Sequence, residues 1–538
     1  MNQFLLSQPL AITPLTPVHI GCREDFEPTN YVIDDDLLYY FDPLRLPLDE
    51  ADAAALSKAV HQDGGRALMA IQQFFYARRE LCKGVARGGV AVAPGIVTQY
   101  QARIGQIAQK EDRVHNQLEI ERTAHHPQNG QPYLPGSSLK GAIRTGWLDF
   151  LNKGAAKRSD NDNAQGTEKR LLGSQNGFET DPFRLLALSD AAGADVLSKV
   201  VFACNRKKES VVRPDGKVAE AKGVTSRREA ILGGQFRALQ AELRLYPMTG
   251  IEPSAATPSA AKRLNSFTEI AKNGNHFYLR RITELLQILK RRRFANERWL
   301  VAFEQLIEGL RPTLAAGELM LLRVGRHSGA ESVTLDGVRE IRIMGGKGQA
   351  PSTSKTGAKT LWLAADNEGA RSDMYPFGWI LVERADAPAQ PALEQWCKPQ
   401  PKHSAAQIRS TLAMAQEKMR EKIQARMVEK HAAAAAQLAQ QAEAEKYTKL
   451  SPEERALADF QQRFEDARKH EWNPGGEFHQ KRQEFIGKCL EWPDPALRER
   501  AHSALRASAS NSWGLPKKTE KKQALLASIE KLLAPHGR

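Results

Sequence analysis

A short stretch around residue 140 carries the side chains that are best placed for chemistry in this chain. A Pro-Gly turn ends at Gly136, and Ser137 or Ser138 can then cap a helix by accepting a hydrogen bond from a free backbone N–H. Lys140 and Arg144 lie four positions apart, so both project from one face of this helix. Free N–H groups, hydroxyls and two cations on one face favour binding of a polyanion such as RNA.

Three further segments offer phosphate contacts. A Gly-rich loop at 325–329 follows a buried-strand candidate, and its N–H groups can cradle an anion. A second Gly/Lys/Ser-rich loop spans 345–359, and a Lys/Arg-rich insert spans 205–228. The candidate residues of these segments are Gly325, Arg326, Ser328, Lys347, Lys355, Arg206 and Lys207.

His19 is the residue that could carry catalysis, because an imidazole can act as a general base toward the 2′-OH in RNA cleavage. Spacing ties no second His or Lys to it. We therefore interpret His19 as a structural or RNA-contacting residue, together with Gly21 in the same loop. No catalytic residue is predicted.

Metal and disulfide chemistry find little support in the sequence. The five cysteines are scattered and form no Cys-x-x-Cys pair, which argues against a disulfide framework and against a Cys-rich zinc site. The acidic run Asp34-Asp35-Asp36 sits between two β-rich segments and is interpreted as a turn. We predict no metal and no cofactor.

Composition favours an acidic partner. The 538 residues carry a formal net charge of +14, and nucleic acid leads the list of partners for a basic chain. The length allows two to four domains. No signal peptide and no membrane-spanning run is recognised, and the cysteine usage fits a reducing cytoplasm.

The element pattern of the first 398 residues alternates strands and helices and predicts an α+β fold. Residues 9–18 are predicted as an edge strand, because three prolines disfavour a central one. Residues 84–95 and 153–182 are predicted as loops, and 250–262 as a connector. Strands are predicted near 31–41 (a hairpin), 118–122, 183–190, 200–204, 238–245, 319–324, 362–363 and 377–382. Helices are predicted at about 49–62, 65–82, 139–151, 265–293 and 296–310.

Beyond residue 399 the chain becomes Ala/Gln/Glu/Lys-rich and is predicted to be helical. Ser451-Pro452-Glu453-Glu454 is typical of a capping box with proline at the first helical position. Helices are predicted at 404–446, 476–491, 494–507 and 519–534. The spacing of Leu457, Phe460 and Phe464, together with the excess of Lys and Arg, suggests a surface for protein contacts or for added RNA affinity. We divide the chain into regions 1–250, 251–398 and 399–538.

Several motifs resemble one protein family in the expected order. The Pro-Gly-Ser-Ser-Leu-Lys-Gly-Ala-Ile-Arg-Thr string at 135–145 resembles the central motif of RAMP proteins, the RNA-binding subunits of type III CRISPR complexes. The segment 27–34 resembles a hairpin of the fifth Csm subunit, which caps type III-A effectors. Segments 15–21, 323–329, 359–363 and 376–379 resemble further parts of that family.

This resemblance implies two ferredoxin-like, RRM-type domains, in regions 1–250 and 251–398, followed by the helical extension. It implies binding of CRISPR RNA near its 3′ end, with target RNA close by. The backbone and small Csm subunits would be partners, host nucleases could be recruited, and no membrane is involved. The insert at 205–228 corresponds to the RAMP thumb hairpin. The extension after 399 departs from the family pattern.

Two alternatives stay open. The chain could be a RAMP endoribonuclease that processes repeat RNA through His19, or a RAMP subunit of a Cmr-type complex. The 27–34 hairpin argues against the second alternative.

Overall fold

The computed structural model describes residues 5–63, 65–104, 118–158, 163–173, 180–212, 218–219, 224–246, 264–344, 350–399, 404–469, 477–510, 516 and 518–534. The chain divides into two compact units, Met1–Ile423 and Gln424–Arg538. The first unit mixes sheets and helices, whereas the second is helical. The predicted α+β class with a helical C-terminal region is therefore confirmed.

The strands belong to the first unit. In chain order they are β1 (Leu6–Pro14), β2 (Gly21–Phe26), β3 (Tyr31–Asp34), β4 (Leu37–Tyr40), β5 (Gly88–Val92), β6 (Ile120–Thr123), β7 (Leu186–Leu188), β8 (Ser198–Lys207), β9 (Val211–Val212), β10 (Val218–Ala219), β11 (Thr225–Ile231), β12 (Leu239–Leu245), β13 (Leu319–Arg323), β14 (Ile341–Ile343), β15 (Ser352–Ser354), β16 (Thr360–Ala365), β17 (Tyr375–Pro376) and β18 (Trp379–Arg384).

The α-helices occur in both units. They are α1 (Glu50–Val60), α2 (Gly65–Ala77), α3 (Arg79–Gly84), α4 (Pro94–Arg103), α5 (Gly136–Asn152), α6 (Ala164–Leu172), α7 (Phe267–Arg292), α8 (Glu297–Ala316), α9 (Pro391–Cys397), α10 (Ala405–Lys449), α11 (Pro452–Lys469), α12 (Glu477–Leu490), α13 (Pro495–Ser508) and α14 (Thr519–Glu530). None of the helices in the described ranges is long and apolar enough to cross a membrane.

The first sheet is antiparallel, with strand order β13-β18-β1-β12-β7. β1 lies at its centre, so the prediction of an edge strand is wrong. Pro9 and Pro14 are tolerated because each lies at the end of a ladder that β1 forms. Pro9 pairs with β12 before the pairing with β18 begins, and Pro14 pairs with β18 after the pairing with β12 has ended. A proline therefore removes no ladder hydrogen bond here.

The second sheet is mixed, with strand order β2-β6-β11-β8-β5-β4-β3. The long strand β8 also pairs with β16, which in turn pairs with β17. Residues 84–95, predicted as a loop, contain β5, which joins β4 to β8. The prediction of a loop is wrong. The glycines at the start of this strand indicated a loop, although the valines that follow them favour a strand. Both sheets combine strands from the two sides of residue 250, so the boundary predicted there does not separate two sheets.

Helices α7 and α8 pack against β13, and α5 contacts both β13 and β7, the two edge strands of the first sheet. The α5–α7 crossing is close, because Gly146 lies against Gly274. Tyr278 on α7 donates a hydrogen bond to the Ala142 carbonyl on α5 at 2.9 Å, and its ring meets Trp379 of β18 edge-on. This packing fixes α5, the helix that carries the predicted polyanion-binding residues.

The structure differs from the prediction at 153–182 and agrees with it at 31–41. The stretch 153–182, predicted as a loop, contains α6, whose start is capped by the Asn163 side chain. Residues 159–162 and 174–179 lie outside the described residues, as does the predicted connector at 250–262. The predicted 31–41 hairpin is confirmed as β3 and β4, with Asp35 in the left-handed region of its turn.

The first half of α10 belongs to the first unit rather than to a separate extension. Ile408 and Leu412 lie against Gly89 of β5, and the Gln416 side chain donates a hydrogen bond to the Ala86 carbonyl at 2.9 Å. Met419 is buried. The change in composition near residue 399 therefore precedes the boundary between the compact units at residue 423.

The second unit is built from α11 to α14 around its own core. Ser451 and Glu454 form the predicted capping box, since the backbone N–H of each donates to the side chain of the other. Leu457 and Phe460 are buried in this core, and Phe464 packs against it. The apolar spacing that suggested a protein-contact surface thus serves the unit itself.

Candidate nucleic-acid interface

The predicted serine cap of α5 is wrong. The helix begins at Gly136, one turn earlier than expected, so Ser137 and Ser138 lie inside its first turn. The Gly136 N–H donates instead to the Asp190 carboxylate at 2.7 Å. A Cβ atom at Gly136 would lie 2.3 Å from the Leu188 carbonyl oxygen, so the close backbone approach at this glycine is to the protein's own chain.

Lys140 and Arg144 have protein partners. The Lys140 ammonium donates to the Leu186 carbonyl at 2.7 Å, and burial lowers its pKa. The Arg144 guanidinium pairs with Glu168 and Asp181. These contacts tie α5 to the segment before β7 and to α6. A phosphate at either cation has to compete with them, and the RNA contacts of both residues stay a prediction.

The structure brings together two predicted segments that lie about 300 residues apart in sequence. The loop that holds His19, which leads from β1 to Gly21 at the start of β2, meets the Gly-rich loop after β13. The Arg326 N–H donates to the His19 carbonyl at 2.8 Å. Gly325 has a φ of +82°, and a Cβ there would lie 2.4 Å from the same carbonyl oxygen. Ser328 is buried in the same loop.

The His19 side chain is fully buried within this junction. Its Nδ1 lies 2.7 Å from the Glu229 carbonyl, which requires that Nδ1 carries the proton. Its Nε2 then accepts from the Arg228 guanidinium at 3.3 Å. Burial lowers the pKa of His19 to about 4. The lone pair of the neutral ring is therefore engaged, which disfavours a role as general base.

This environment predicts a pH dependence of stability. In the unfolded chain His19 has a pKa near 6.5, so between about pH 6.5 and 4 the unfolded state takes up a proton that the native state does not. The free energy of unfolding should fall as the pH is lowered through this window, with about 2 kcal/mol from His19 between about pH 7 and 5.

Urea unfolding of the wild type and of His19→Gln at both pH values measures this contribution. A glutamine side chain cannot take up a proton, so the variant should lose less stability on acidification than the wild type. Equal losses in the two proteins would show that His19 is not the titrating group.

An open pocket of about 530 Å³ adjoins the loop junction. Carboxylates and guanidinium groups line it in equal numbers, and Arg326 donates to Glu121 at 2.8 Å. Its charged lining residues are Arg23, Arg122, Arg227, Arg326, Glu24, Asp25, Glu119 and Glu121. Balanced charge makes this pocket a poor site for a bare phosphate.

Comparison with known protein families assigns the chain to one of them. A family model described as the RAMP superfamily matches residues 11–300, more than half of the sequence. The chain belongs to the RAMP superfamily. No curated protein matches the chain.

Two solved structures are similar to this RAMP protein. The crystal structure of Csm5 from T. onnurineus has 15% identity and a TM-score of 0.40, and the match covers 69% of this chain and 99% of that chain. A chain of the Csm–crRNA–target RNA ternary complex of a type III-A CRISPR–Cas system has 16% identity and a TM-score of 0.41. That match covers 70% of this chain and 100% of the other.

Two of the remaining predicted residues of the RAMP chain, Arg206 and Lys207, lie at the end of β8. Arg206 donates to the Ala370 carbonyl at 2.9 Å, and Lys207 is half-buried opposite Thr360. Lys355 is exposed after β15, whereas Lys347 lies outside the described residues. The expected thumb region holds a short hairpin, β9–β10, whose predicted turn at 214–216 also lies outside them.

Sequence reasoning missed two charged groups. Arg228, Glu121 and Glu229 surround His19 from strands β6 and β11, and no local pattern marks them. The second group is the run from Lys290 to Arg293 at the end of α7, where four successive cations were a visible signal. Within the described residues no group of three His, Cys, Asp or Glu side chains could hold a metal ion, and all five cysteines are free.

Proposed function

We propose that this RAMP protein is the crRNA-binding capping subunit of a type III-A Csm complex. The observation that carries the proposal is the family match over residues 11–300, to which the motif at 135–145 and the hairpin at 27–34 add detail. In this role the chain lies near the 3′ end of the CRISPR RNA and supports crRNA maturation and complex assembly. The net charge of +14 agrees with an RNA ligand.

The RNA contacts proposed from sequence differ in how accessible they are. Arg326 keeps 58% of its side chain exposed, and Lys355 and Ser137 are exposed. Lys140, Arg144 and Arg206 contact RNA only if their protein partners are exchanged for phosphate. Gly136 and Gly325 approach protein backbone, so their role is to hold the loops in place rather than to admit RNA.

Other partners follow from the same proposal. CRISPR RNA is the direct ligand, target RNA is close by, and the backbone and small Csm subunits pack against this chain. Host nucleases that trim the RNA 3′ end are recruited rather than replaced. We propose that the chain itself is not a nuclease and works in the cytoplasm.

The endoribonuclease alternative depends on His19, and the described environment of His19 disfavours it. Its ring is buried, and both nitrogens are within hydrogen-bonding distance of protein groups. A base that removes a proton from an RNA hydroxyl has to reach that hydroxyl directly or through one water molecule. A Cmr-type complex is the other alternative, against which the hairpin at 27–34 argues.

Incubation of the purified full chain with CRISPR repeat RNA, without added metal, separates the two functions. We expect the RNA to stay intact with the wild type and with His19→Gln, while the wild type binds the RNA with an affinity that falls as salt is raised. Cleavage by the wild type that is lost in a folded His19→Gln variant would establish the nuclease instead.

A further inference from the structure

The C-terminal end of α7 gathers four successive cations, Lys290, Arg291, Arg292 and Arg293. Lys290 and Arg291 keep 72% and 54% of their side chains exposed, and Arg293 is exposed as the left-handed residue that ends the helix. Successive residues on a helix point about 100° apart. The four side chains therefore spread around the helix end.

The end of β8 lies against this helix end. Arg291 pairs with the Glu209 carboxylate and approaches the Lys208 carbonyl at 3.5 Å, and Arg292 donates to the Ser210 hydroxyl. The Lys208 N–H donates to the Lys359 carbonyl at 3.0 Å, which brings β16 to the same place. We call this surface the β8–α7 platform; it consists of Lys208, Lys290, Arg291, Arg292 and Arg293.

The platform concentrates positive charge. Lys208, Lys290 and Arg291 pair with the carboxylates of Glu331, Glu304 and Glu209, respectively. Cations in the last turn complement the helix dipole, but this effect and exposed ion pairs each stabilise a fold only weakly. Folding gains little from so many cations in one place, so the cluster points to an external anion.

We propose that the β8–α7 platform binds the RNA phosphate backbone, with Glu209 as an internal anion that a phosphate displaces from Arg291. The inference rests on the proposed function and adds a contact surface to it. Arginine suits phosphate because its planar fork donates two parallel hydrogen bonds. A protein partner would have to present a matching acidic face, whereas every nucleotide of an RNA strand carries a phosphate.

If phosphate displaces Glu209 from Arg291, removing the Glu209 charge should raise the RNA affinity, whereas removing the arginines should lower it. Glu209 is 74% exposed, so Glu209→Gln removes a competitor without disturbing the core, and RNA affinity should rise about 3-fold. Arg291→Ala/Arg293→Ala should weaken binding about 10-fold. It should also reduce the slope of log K against log salt by about 1.4, because two phosphate contacts on single-stranded RNA are lost.

The measurement is fluorescence anisotropy of a labelled, unstructured single-stranded RNA with the full chain, between about 50 and 200 mM salt. Glu308→Gln and Arg311→Ala are matched controls, because these residues form an exposed ion pair of the same type on α8. Neither control should change the affinity or the salt slope. Unchanged thermal unfolding of each variant shows that its effect is on binding.

The outcomes separate the platform from the proposed function. Tighter binding by Glu209→Gln together with weaker binding and a lower slope for the arginine pair supports the platform. Wild-type RNA binding that none of these variants alters overturns the platform and leaves the proposed function standing. Loss of co-purifying protein subunits with RNA affinity unchanged assigns the surface to a protein partner and also overturns it. A wild type that binds no RNA overturns the proposed function as well.

Discussion

Replacing Gly325 with alanine should destabilise the first unit by about 2–5 kcal/mol. Gly325 has a φ of +82°, a conformation that costs an L-residue about 1–2 kcal/mol. A Cβ there would also lie 2.4 Å from the His19 carbonyl oxygen, a contact that forces the two loops apart. The same carbonyl accepts the Arg326 N–H, so the junction that carries His19, Gly21 and Arg326 should open.

Urea unfolding followed by far-ultraviolet circular dichroism measures this loss. Gly141→Ala is the matched control, because Gly141 is exposed on α5 and a Cβ there meets nothing within 4 Å. Alanine in an exposed helix interior should raise stability by about 0.5–1 kcal/mol. A Gly325→Ala protein as stable as the wild type would contradict the described junction.

Met419→Asp should release the first half of α10 from the first unit, at a cost of about 2–4 kcal/mol. Met419 is 6% exposed and lies against Gly84, where an added Cβ would come within 2.4 Å of the Met419 side chain. The variant removes this packing and places a carboxylate in an apolar contact. The neighbouring contacts of Ile408 and Leu412 with Gly89 should weaken together with it.

Amide hydrogen exchange of the full chain localises the effect. Faster exchange is expected in residues 405–423 and in β5, which they cover. Met427→Asp is the control, because Met427 lies on the same helix with 57% of its surface exposed and should change exchange little. Equal exchange in the two variants would mean that residues 405–423 do not pack on the first unit.

Local patterns predicted the elements whose signals are contained in a short window. The long periodic segments of α7 and α8, the 31–41 hairpin and the capping box at Ser451 all appear where the sequence places them. The errors at β1 and β5 concern strands whose positions depend on partners far along the chain. A proline count cannot reveal that β18, more than 350 residues further along the chain, pairs with Leu10–Pro14 of β1.

The contacts of the candidate site likewise depend on residues that are distant in sequence. The string at 135–145 identified the family, yet the contacts of its residues depend on Asp190, Glu168 and Asp181, which lie in other elements. The convergence of the loops that hold His19 and Arg326 depends on both sheets and could not be read from spacing. By contrast, the run Lys290–Arg293 was visible as a charge pattern, and only its position beside β8 required the fold.

Sequencing of the RNA that co-purifies with the full chain from its native host tests the central claim most directly. The account predicts spacer-containing CRISPR RNAs, recovered together with other Csm proteins. It also predicts that their 3′ ends change when Lys140 and Arg144 are replaced. Unprocessed repeat transcripts, or no RNA at all, would contradict the assignment as a crRNA-binding capping subunit.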